Sequence, residues 1–243
     1  MKKTKILTFF LTTSLIFLVF PVALGQSRDP QVKPALLEQP MPEFTLPSYQ
    51  GQEVSLSALK GKNVMIIFPR GYAGPDRWCT ICNYKYVELT ELQKTRDIRK
   101  KYNVEILFVL PYSKEIVSKW LQSLPEQMTK IKNWKYPENP EQLDDKGKQS
   151  VERYRKIFPE DFTVSQDNIP LPFPVLIDAD RKLSFSLGIF TTDWSGSKVE
   201  QNIPSVYILN KDGLLCFKYI GQNTLDRPSY DYLFKVLETI NQK

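Results

Sequence analysis

Residues Arg70 to Leu89 read RGYAGPDRWCTICNYKYVEL, and the rest of the chain is organised around them. Trp78, Cys79 and Cys82 form a W-C-x-x-C pattern at the start of an amphipathic segment. Two cysteines at this spacing can close a small disulfide. At a helix N-terminus the free amides and the helix dipole also favour a thiolate over a thiol. We therefore predict that one of the two cysteines is nucleophilic near neutral pH.

A C-x-x-C pair can also belong to a zinc site or form a purely structural disulfide. A zinc site needs four ligands, but the chain has no histidine and only one further cysteine, Cys216, so no metal site is predicted. A purely structural disulfide remains an alternative, although so short a loop constrains the unfolded chain little. We favour a redox-active disulfide between Cys79 and Cys82. Cys216 is read as a small apolar residue without a redox role.

The composition narrows the classes of function. Without histidine the chain cannot form Ser/His or Cys/His catalytic pairs or imidazole metal sites, and no cofactor is predicted. Beyond Gly25 it carries 30 basic and 27 acidic residues, and the two signs are interspersed. This balance gives no argument for nucleic-acid binding. Cysteine chemistry remains, supported by helix amides, arginines and hydroxyl groups.

The N-terminus has the pattern of a secretory signal peptide. A basic start precedes an apolar run, and small residues follow up to Gly25, after which we predict cleavage. An uncleaved membrane anchor at residues 6–24 is the alternative. Residues 26–40 are polar with three prolines and are interpreted as a linker. Export predicts a periplasmic or secreted protein, in a compartment where disulfides persist.

Three segments around the cysteines predict a strand, helix and strand unit. Lys62 to Pro69 has the pattern of a buried strand, Asn83 to Tyr102 that of an amphipathic helix, and Val104 to Leu110 that of a second buried strand. Such a unit gives a parallel pair with a right-handed crossover. The cysteines would then lie where the first strand meets the helix.

Ser123 to Ile169 is rich in proline and charge and is interpreted as an insertion. It could cover the active site, bind a partner or decorate the edge of the fold. We favour surface decoration, because insertions into surface loops cost little loop entropy.

The segment from Met41 to Phe68 resembles the start of the AhpC/TSA (peroxiredoxin-like, redoxin) family of the thioredoxin superfamily. It carries P-x-F-x-L, G-x-x-V-S-L and L-K-G-K, and FPRG with the later W-C-x-x-C is similar to the family pattern R-G-x-W-C-P-x-C. Phe173 to Ala179 (FPVLIDA) is similar to its P-x-L-x-D strand. The resemblance implies an α/β thioredoxin-like fold over residues 41–243. In that fold a central mixed β-sheet is flanked by helices, with an N-terminal β-hairpin and insertions.

The resemblance also implies supporting residues at the site. Pro204 matches a cis-proline that faces the cysteines, and the backbone of Ile203 before it would pair with an extended substrate. Trp78 and Arg70 are further supporting candidates. The full peroxidase motif P-x-x-x-T-x-x-C is absent. Asp76 near the cysteines would raise a thiol pKa, whereas Arg70 or Arg77 would lower it.

We therefore predict an exported thiol oxidoreductase that reduces peroxides through Cys79 and Cys82. A thiol electron donor, such as a thioredoxin-like protein, would reopen the disulfide. The first alternative is a thiol-disulfide reductase or isomerase, in which the more exposed Cys79 attacks a protein disulfide and Cys82 resolves it. The second is a non-catalytic module that binds a partner through the insertion.

Overall fold

The computed structural model describes residues 35–242. The predicted signal peptide, the alternative anchor and the linker up to residue 34 lie outside this range. Within it, no helix combines the length and the apolar character needed to cross a membrane. The end of the linker does not behave as a free tether: the N–H of Glu38 donates to the Leu215 carbonyl at 2.8 Å, and the Leu215 N–H donates to Gln39 at 2.9 Å. Residues 35–40 therefore pack along the sheet edge.

Residues 35–242 form eleven strands and seven α-helices. The strands are β1 (Thr45–Pro47), β2 (Glu53–Ser55), β3 (Asn63–Phe68), β4 (Tyr72–Gly74), β5 (Arg77–Trp78), β6 (Val104–Leu110), β7 (Val175–Ile177), β8 (Phe190–Thr191), β9 (Gln201–Asn202), β10 (Ser205–Leu209) and β11 (Leu215–Ile220). The helices are α1 (Thr80–Arg96), α2 (Ile98–Lys101), α3 (Lys114–Gln122), α4 (Leu124–Lys135), α5 (Asp145–Ile157), α6 (Lys182–Ser186) and α7 (Tyr230–Asn241).

A five-stranded mixed sheet in the order β11-β10-β3-β6-β7 forms the centre of the fold. β3, β6 and β7 are parallel, and β10 runs antiparallel to both β3 and β11. The predicted parallel pair and its crossover helix are confirmed, as are the N-terminal hairpin β1–β2 and the mixed sheet. The predicted helix over 83–102 begins earlier, at Thr80, and is interrupted because Asp97 adopts a left-handed conformation with φ 42°.

The sheet is buried on both faces, because successive apolar side chains along a strand pack alternately into two clusters on its opposite faces. In β3, Met65 packs with α1 and α7 in the larger cluster, whereas Val64 and Ile66 pack on the opposite face with the N-terminal segment and α6. All three side chains are at most 2% exposed. β3 is thereby fixed in the middle of the fold, and the loop that follows it carries the cysteines.

The insertion at residues 123–169 is part of the core, so the expectation that it decorates the edge is wrong. It forms α4 and α5. Met128 and Ile131 of α4, and Phe158 directly after α5, belong to the larger cluster. The ring of Phe158 meets that of Tyr84 from α1 at 5.0 Å between centroids. Burial of these apolar side chains, rather than loop entropy, determines where the insertion lies.

Candidate active site

The chain reaches the cysteines through a tight reversal after β3. Gly71 has φ 76°, a left-handed conformation that costs glycine least. The residues between Gly71 and Trp78 then form the short hairpin of β4 and β5. The N–H of Cys79 donates to the Gly71 carbonyl at 2.8 Å, and Cys79 is the N-cap residue of α1. The two cysteines therefore lie at the strand-to-helix junction, as predicted.

Tyr112 holds this hairpin in place. Its hydroxyl accepts from the N–H of Tyr72 at 3.0 Å and donates to the carbonyl of Glu200 at 2.8 Å. The Tyr72 ring stacks on Trp78 at 4.1 Å with an angle of 10°. Asp76 lies in the exposed turn. Burial raises the pKa of Tyr72, and the negative charge of Asp76 raises it further. The expected effect of Asp76 thus falls on a tyrosine.

Cys79 and Cys82 are free thiols whose Sγ atoms lie 2.6 Å apart. Each residue is only 4% exposed, so the expectation that Cys79 is the more exposed is wrong. Both sulfur atoms contact Arg227, which lies in the segment between β11 and α7. The predicted redox-active disulfide is not formed in this structure and remains a prediction.

The two thiols differ in acidity. Burial raises the pKa of Cys82, but the hydrogen bond with Cys79 and the positive charge of Arg227 outweigh it and lower that pKa to about 5. The N–H of Arg70 also donates to the Cys82 Sγ at 3.3 Å. The hydrogen bond to Cys82, burial and the neighbouring negative charge all raise the pKa of Cys79 well above its ordinary value. These surroundings therefore favour a thiolate at Cys82 over one at Cys79.

Arg227 is the residue that sequence reasoning missed. Its Nη2 lies 3.5 Å from the Sγ of Cys82 and 3.6 Å from that of Cys79. Its Nη1 donates to the carbonyl of Asp226 at 2.7 Å, and the Asp226 carboxylate accepts hydrogen bonds from Tyr219 and from the N–H of Gln222. The segment GQNTLDRP resembles the end of the family pattern, but no spacing ties an arginine in it to cysteines about 145 residues earlier.

Arg70, predicted as a supporting residue, lies beside the pair. Its side chain is 4% exposed, its Nε donates to the Oε1 of Gln201 at 2.6 Å, and its guanidinium lies 5.3 Å from the centroid of Trp194. Its Nη2 has no hydrogen-bond partner among residues 35–242. Burial lowers the pKa of Arg70, whereas the charges of Cys79 and Cys82 raise it. The thiol pair therefore interacts with the positive charges of two guanidinium groups, those of Arg70 and Arg227.

The predicted role of Ile203 and Pro204 is only partly matched. No cis peptide bond occurs among the described residues, so the expected cis-proline at 204 is wrong. The N–H of Ile203 donates to the carbonyl of Ile189 at 2.6 Å, and the hydroxyl of Ser205 donates to the carbonyl of Ile203 at 2.8 Å. The backbone that was expected to pair with substrate is therefore engaged within the protein. Pro204 itself does lie near the site, beside Cys82.

The two sulfur atoms face different spaces. Cys82 lines a small, partly open cavity of about 40 Å³ together with Phe68, Pro204 and Arg227. Cys79 lines an open groove of about 320 Å³. The small cavity has room for a molecule the size of hydrogen peroxide, because one water needs about 10 to 15 Å³ on this measure. Only the groove is wide enough for a larger partner.

The insertion braces the first turn of α1. The hydroxyl of Thr80, between the two cysteines, donates to the Oε1 of Gln127 at 2.8 Å. Three residues later, Asn83 donates to the hydroxyl of Ser123 at 3.2 Å. The insertion therefore supports the cysteines and forms a wall of their groove, which places it at the site but differs from the favoured role of surface decoration.

The sequence before Cys82 matches two positions of the peroxidase motif. In P-x-x-x-T-x-x-C the proline precedes the cysteine by seven residues and the threonine precedes it by three. Pro75 and Cys79 occupy these positions relative to Cys82. The Cys79 thiol, 2.6 Å from the Cys82 sulfur, thus replaces the threonine hydroxyl beside the reactive cysteine of that motif.

Other candidate groups lie apart from this site. Cys216 is exposed on β11 and lines a separate groove with Tyr232 and Lys235 of α7. Within residues 35–242 no cluster of three or more acidic or cysteine side chains is arranged to hold a metal ion.

Comparisons with known proteins agree with this geometry. The AhpC/TSA family pattern matches residues 37–217. A cysteine mutant of peroxiredoxin 6 from Arenicola marina has a similar fold, with a TM-score of 0.52 and 13% identity over 85% of this chain and 73% of that chain. The reduced 2-Cys peroxiredoxin of Plasmodium vivax gives a TM-score of 0.51 and 15% identity over 86% and 83%.

The comparison with curated proteins gave no match. The family pattern nevertheless spans most of the chain, from the packed end of the linker through the cysteine pair to β11. The structural neighbours independently show the thioredoxin-like fold. The chain therefore belongs to the AhpC/TSA family and is a thiol-dependent oxidoreductase or peroxidase.

Proposed function

We propose that the protein is an exported thiol peroxidase in which the Cys82 thiolate reacts with peroxide and Cys79 resolves the product. The observation that carries this proposal is the position of Cys82, which has a pKa of about 5 and lines the small cavity beside Arg227. A thiolate, not a thiol, is the nucleophile toward peroxide.

The reaction proceeds in two balanced steps. The Cys82 thiolate attacks one peroxide oxygen, the O–O bond breaks, and the second oxygen leaves as hydroxide or alkoxide, which takes a proton to give water or an alcohol. Cys82 is thereby oxidised to a sulfenic acid. The Cys79 sulfur then attacks the Cys82 sulfur, the S–O bond breaks, and water leaves as the disulfide forms. At 2.6 Å between the thiol sulfurs, the resolving thiol needs no large movement to reach its partner.

Arg227 supplies electrostatic stabilisation on this reading. Its Nη2, 3.5 Å from the Cys82 Sγ, favours the thiolate before the reaction. The same guanidinium lines the cavity that would hold the peroxide, so it can donate to the leaving oxygen as negative charge develops there. A thiol reductant, such as a thioredoxin-like protein, then reopens the disulfide.

The proposal of export rests on the signal-peptide pattern of residues 1–25. It fits the proposed chemistry, because disulfides persist in a periplasmic or extracellular compartment. A membrane anchor at residues 6–24 would place the same domain at a membrane surface. Release of a mature chain beginning near Gln26, measured by N-terminal sequencing after secretion, distinguishes the two.

A thiol-disulfide oxidoreductase is the second candidate. The open groove of about 320 Å³ at Cys79 favours it, because a polypeptide disulfide needs that space and a small peroxide does not. In that reaction a sulfur of the substrate disulfide is attacked, and no oxygen species is consumed.

Stopped-flow fluorescence separates the two candidates. The reduced protein is mixed with hydrogen peroxide or with an oxidised dithiol protein, and Trp78 reports oxidation because it adjoins Cys79. A Trp78→Phe variant identifies the signal among the four tryptophans. Oxidation by peroxide far faster than that of a free thiol supports the peroxidase. Slow reaction with peroxide and fast exchange with the disulfide contradicts it.

A further inference from the structure

We propose that the groove at Cys79 docks an acidic, extended polypeptide segment next to the cysteine of the thiol partner. The inference rests on the proposed function only in requiring that Cys79 and Cys82 form a disulfide that a partner thiol reopens. It adds which sulfur the partner attacks, where the partner lies and what charge it carries.

The groove offers an apolar wall supplied by the insertion. Trp134 of α4 and Tyr154 of α5 stack at 4.8 Å between centroids, and both line the groove that Cys79 lines. Leu225, which is 43% exposed, also lines the groove. Aromatic side chains at a partly exposed surface provide a large contact area at low entropic cost. This wall suits a polypeptide segment better than a small peroxide.

The charged side chains that line the groove are all positive. Arg77 and Lys130 are exposed at its rim, and neither forms an ion pair within residues 35–242. Behind them, Arg70 is buried with its Nη2 unpartnered in the described part of the chain. None of the described residues that line the groove is acidic. An acidic segment therefore complements the groove, whereas a basic one is repelled.

The spaces around the two sulfurs indicate which of them the partner thiolate attacks. The partner reaches Cys79 from the groove, because the cavity at Cys82 holds only about 40 Å³. The partner thiolate bonds to the Cys79 sulfur, the disulfide breaks, and the electron pair leaves on Cys82. A sulfur that is stabilised as a thiolate is the better leaving group. The partner's second thiol then attacks the mixed disulfide, and Cys79 leaves and takes up a proton.

Two cysteine peptides test the proposal. The full chain is oxidised with diamide, so that no step depends on peroxide, and is mixed with peptides that differ only in flanking glutamates or lysines. Mixed-disulfide formation is followed by mass spectrometry. At low salt we expect the acidic peptide to react about tenfold faster, with the ratio shrinking as salt is added. In the double variant Arg77→Glu with Lys130→Glu, we expect the ratio to fall to about one or to reverse.

Lys132→Glu is the matched control, because Lys132 is exposed on α4 but does not line the groove. It should retain the preference. Mercaptosuccinate, a small acidic thiol, should react more slowly than the acidic peptide if the aromatic wall binds polypeptide. Equal rates for the two peptides, an equal effect of Lys132→Glu, or mercaptosuccinate as fast as the acidic peptide would overturn the proposal. Peroxide turnover is measured separately, so a failed peroxidase assay does not decide this test.

Discussion

The Nη2 of Arg227 lies 3.5 Å from the Sγ of Cys82, although 145 residues separate them in the chain. The contact joins the start of α1 to the segment that precedes α7. It gives the site a fixed positive charge in a protein that has no histidine. The acidity of Cys82 should therefore depend on this arginine.

Arg227→Met should raise the pKa of Cys82. A hydrogen bond to a charged group contributes about 1.5 to 3 kcal/mol, so we expect the pKa to rise by about 1 to 2. At mildly acidic pH the rate of oxidation by peroxide should then fall about tenfold. The thiolate absorbance, followed against pH in the Cys79→Ser background, measures the pKa directly. Arg153→Met is the control, since Arg153 is exposed on α5. A pKa unchanged by Arg227→Met would show that the contact does not stabilise the thiolate.

The stability of the reduced protein should depend on pH. The pKa of Cys82 is about 5 in the folded protein and about 8.5 in an unfolded chain. Between these values the unfolded chain binds a proton that the folded protein does not, so the free energy of unfolding rises with pH. This contribution is complete above about pH 8.5 and is lost as the pH falls toward about 5.

Cys79 does not cancel this rise of the unfolding free energy with pH. Its pKa is raised in the folded protein, so its titration changes stability only at pH values above the ordinary thiol pKa. Urea unfolding of the reduced protein across this range measures the effect, and the Cys82→Ser variant should lack it. The absence of histidine keeps the background small. A flat profile for the reduced wild type would contradict the assignment of the thiolate.

The contact between Thr80 and Gln127 should couple the insertion to the cysteines. Gln127 is 5% exposed, so Gln127→Leu leaves the Thr80 hydroxyl without its partner and should cost about 1 to 2 kcal/mol of unfolding free energy. Thr80→Val should cost a similar amount, and the double variant less than the sum. Thr129→Val, which removes an exposed hydroxyl of α4, should change stability by less than about 0.5 kcal/mol. Fully additive effects in urea unfolding would exclude the coupling.

Removing the hydroxyl of Tyr112 should loosen the hairpin before the cysteines. Tyr112→Phe leaves the N–H of Tyr72 without its acceptor, at a cost of about 1 to 2 kcal/mol. Amide exchange in residues 71–78 should accelerate, while exchange in β6 should remain slow. Tyr232→Phe is the matched control because Tyr232 is 49% exposed. Unchanged exchange in the hairpin would mean that the stacking on Trp78 suffices to hold it.

Local pattern predicted the strand, helix and strand unit at the centre of the fold, and the family resemblance implied the rest of the mixed sheet and the N-terminal hairpin. The apolar runs of β3 and β6 and the spacing of the cysteines are each visible within a few residues of sequence. β6 accordingly has the predicted bounds, Val104–Leu110. The insertion was misjudged because its role depends on buried contacts. Met128 and Phe158 pack against α1, and neither lies in a segment whose periodicity indicates that partner.

The site divides in the same way. Cys79, Cys82, Trp78 and Arg70 were predicted from adjacent sequence and lie together. Arg227 was missed because only tertiary folding brings it to the sulfurs. The expected cis-proline at 204 was carried over from the family resemblance, and the local backbone instead uses Ile203 in hydrogen bonds to its own chain.

Variants that each keep one cysteine test the central claim most directly. Reduced Cys79→Ser, Cys79→Thr and Cys82→Ser proteins are mixed with hydrogen peroxide, and sulfenic acid is trapped with dimedone and located by mass spectrometry. The account predicts rapid trapping at Cys82 in both Cys79 variants, because a hydroxyl can still donate to the thiolate, and little reaction at Cys79 in Cys82→Ser. Rapid sulfenic acid formation at Cys79 with an inert Cys82 would contradict it.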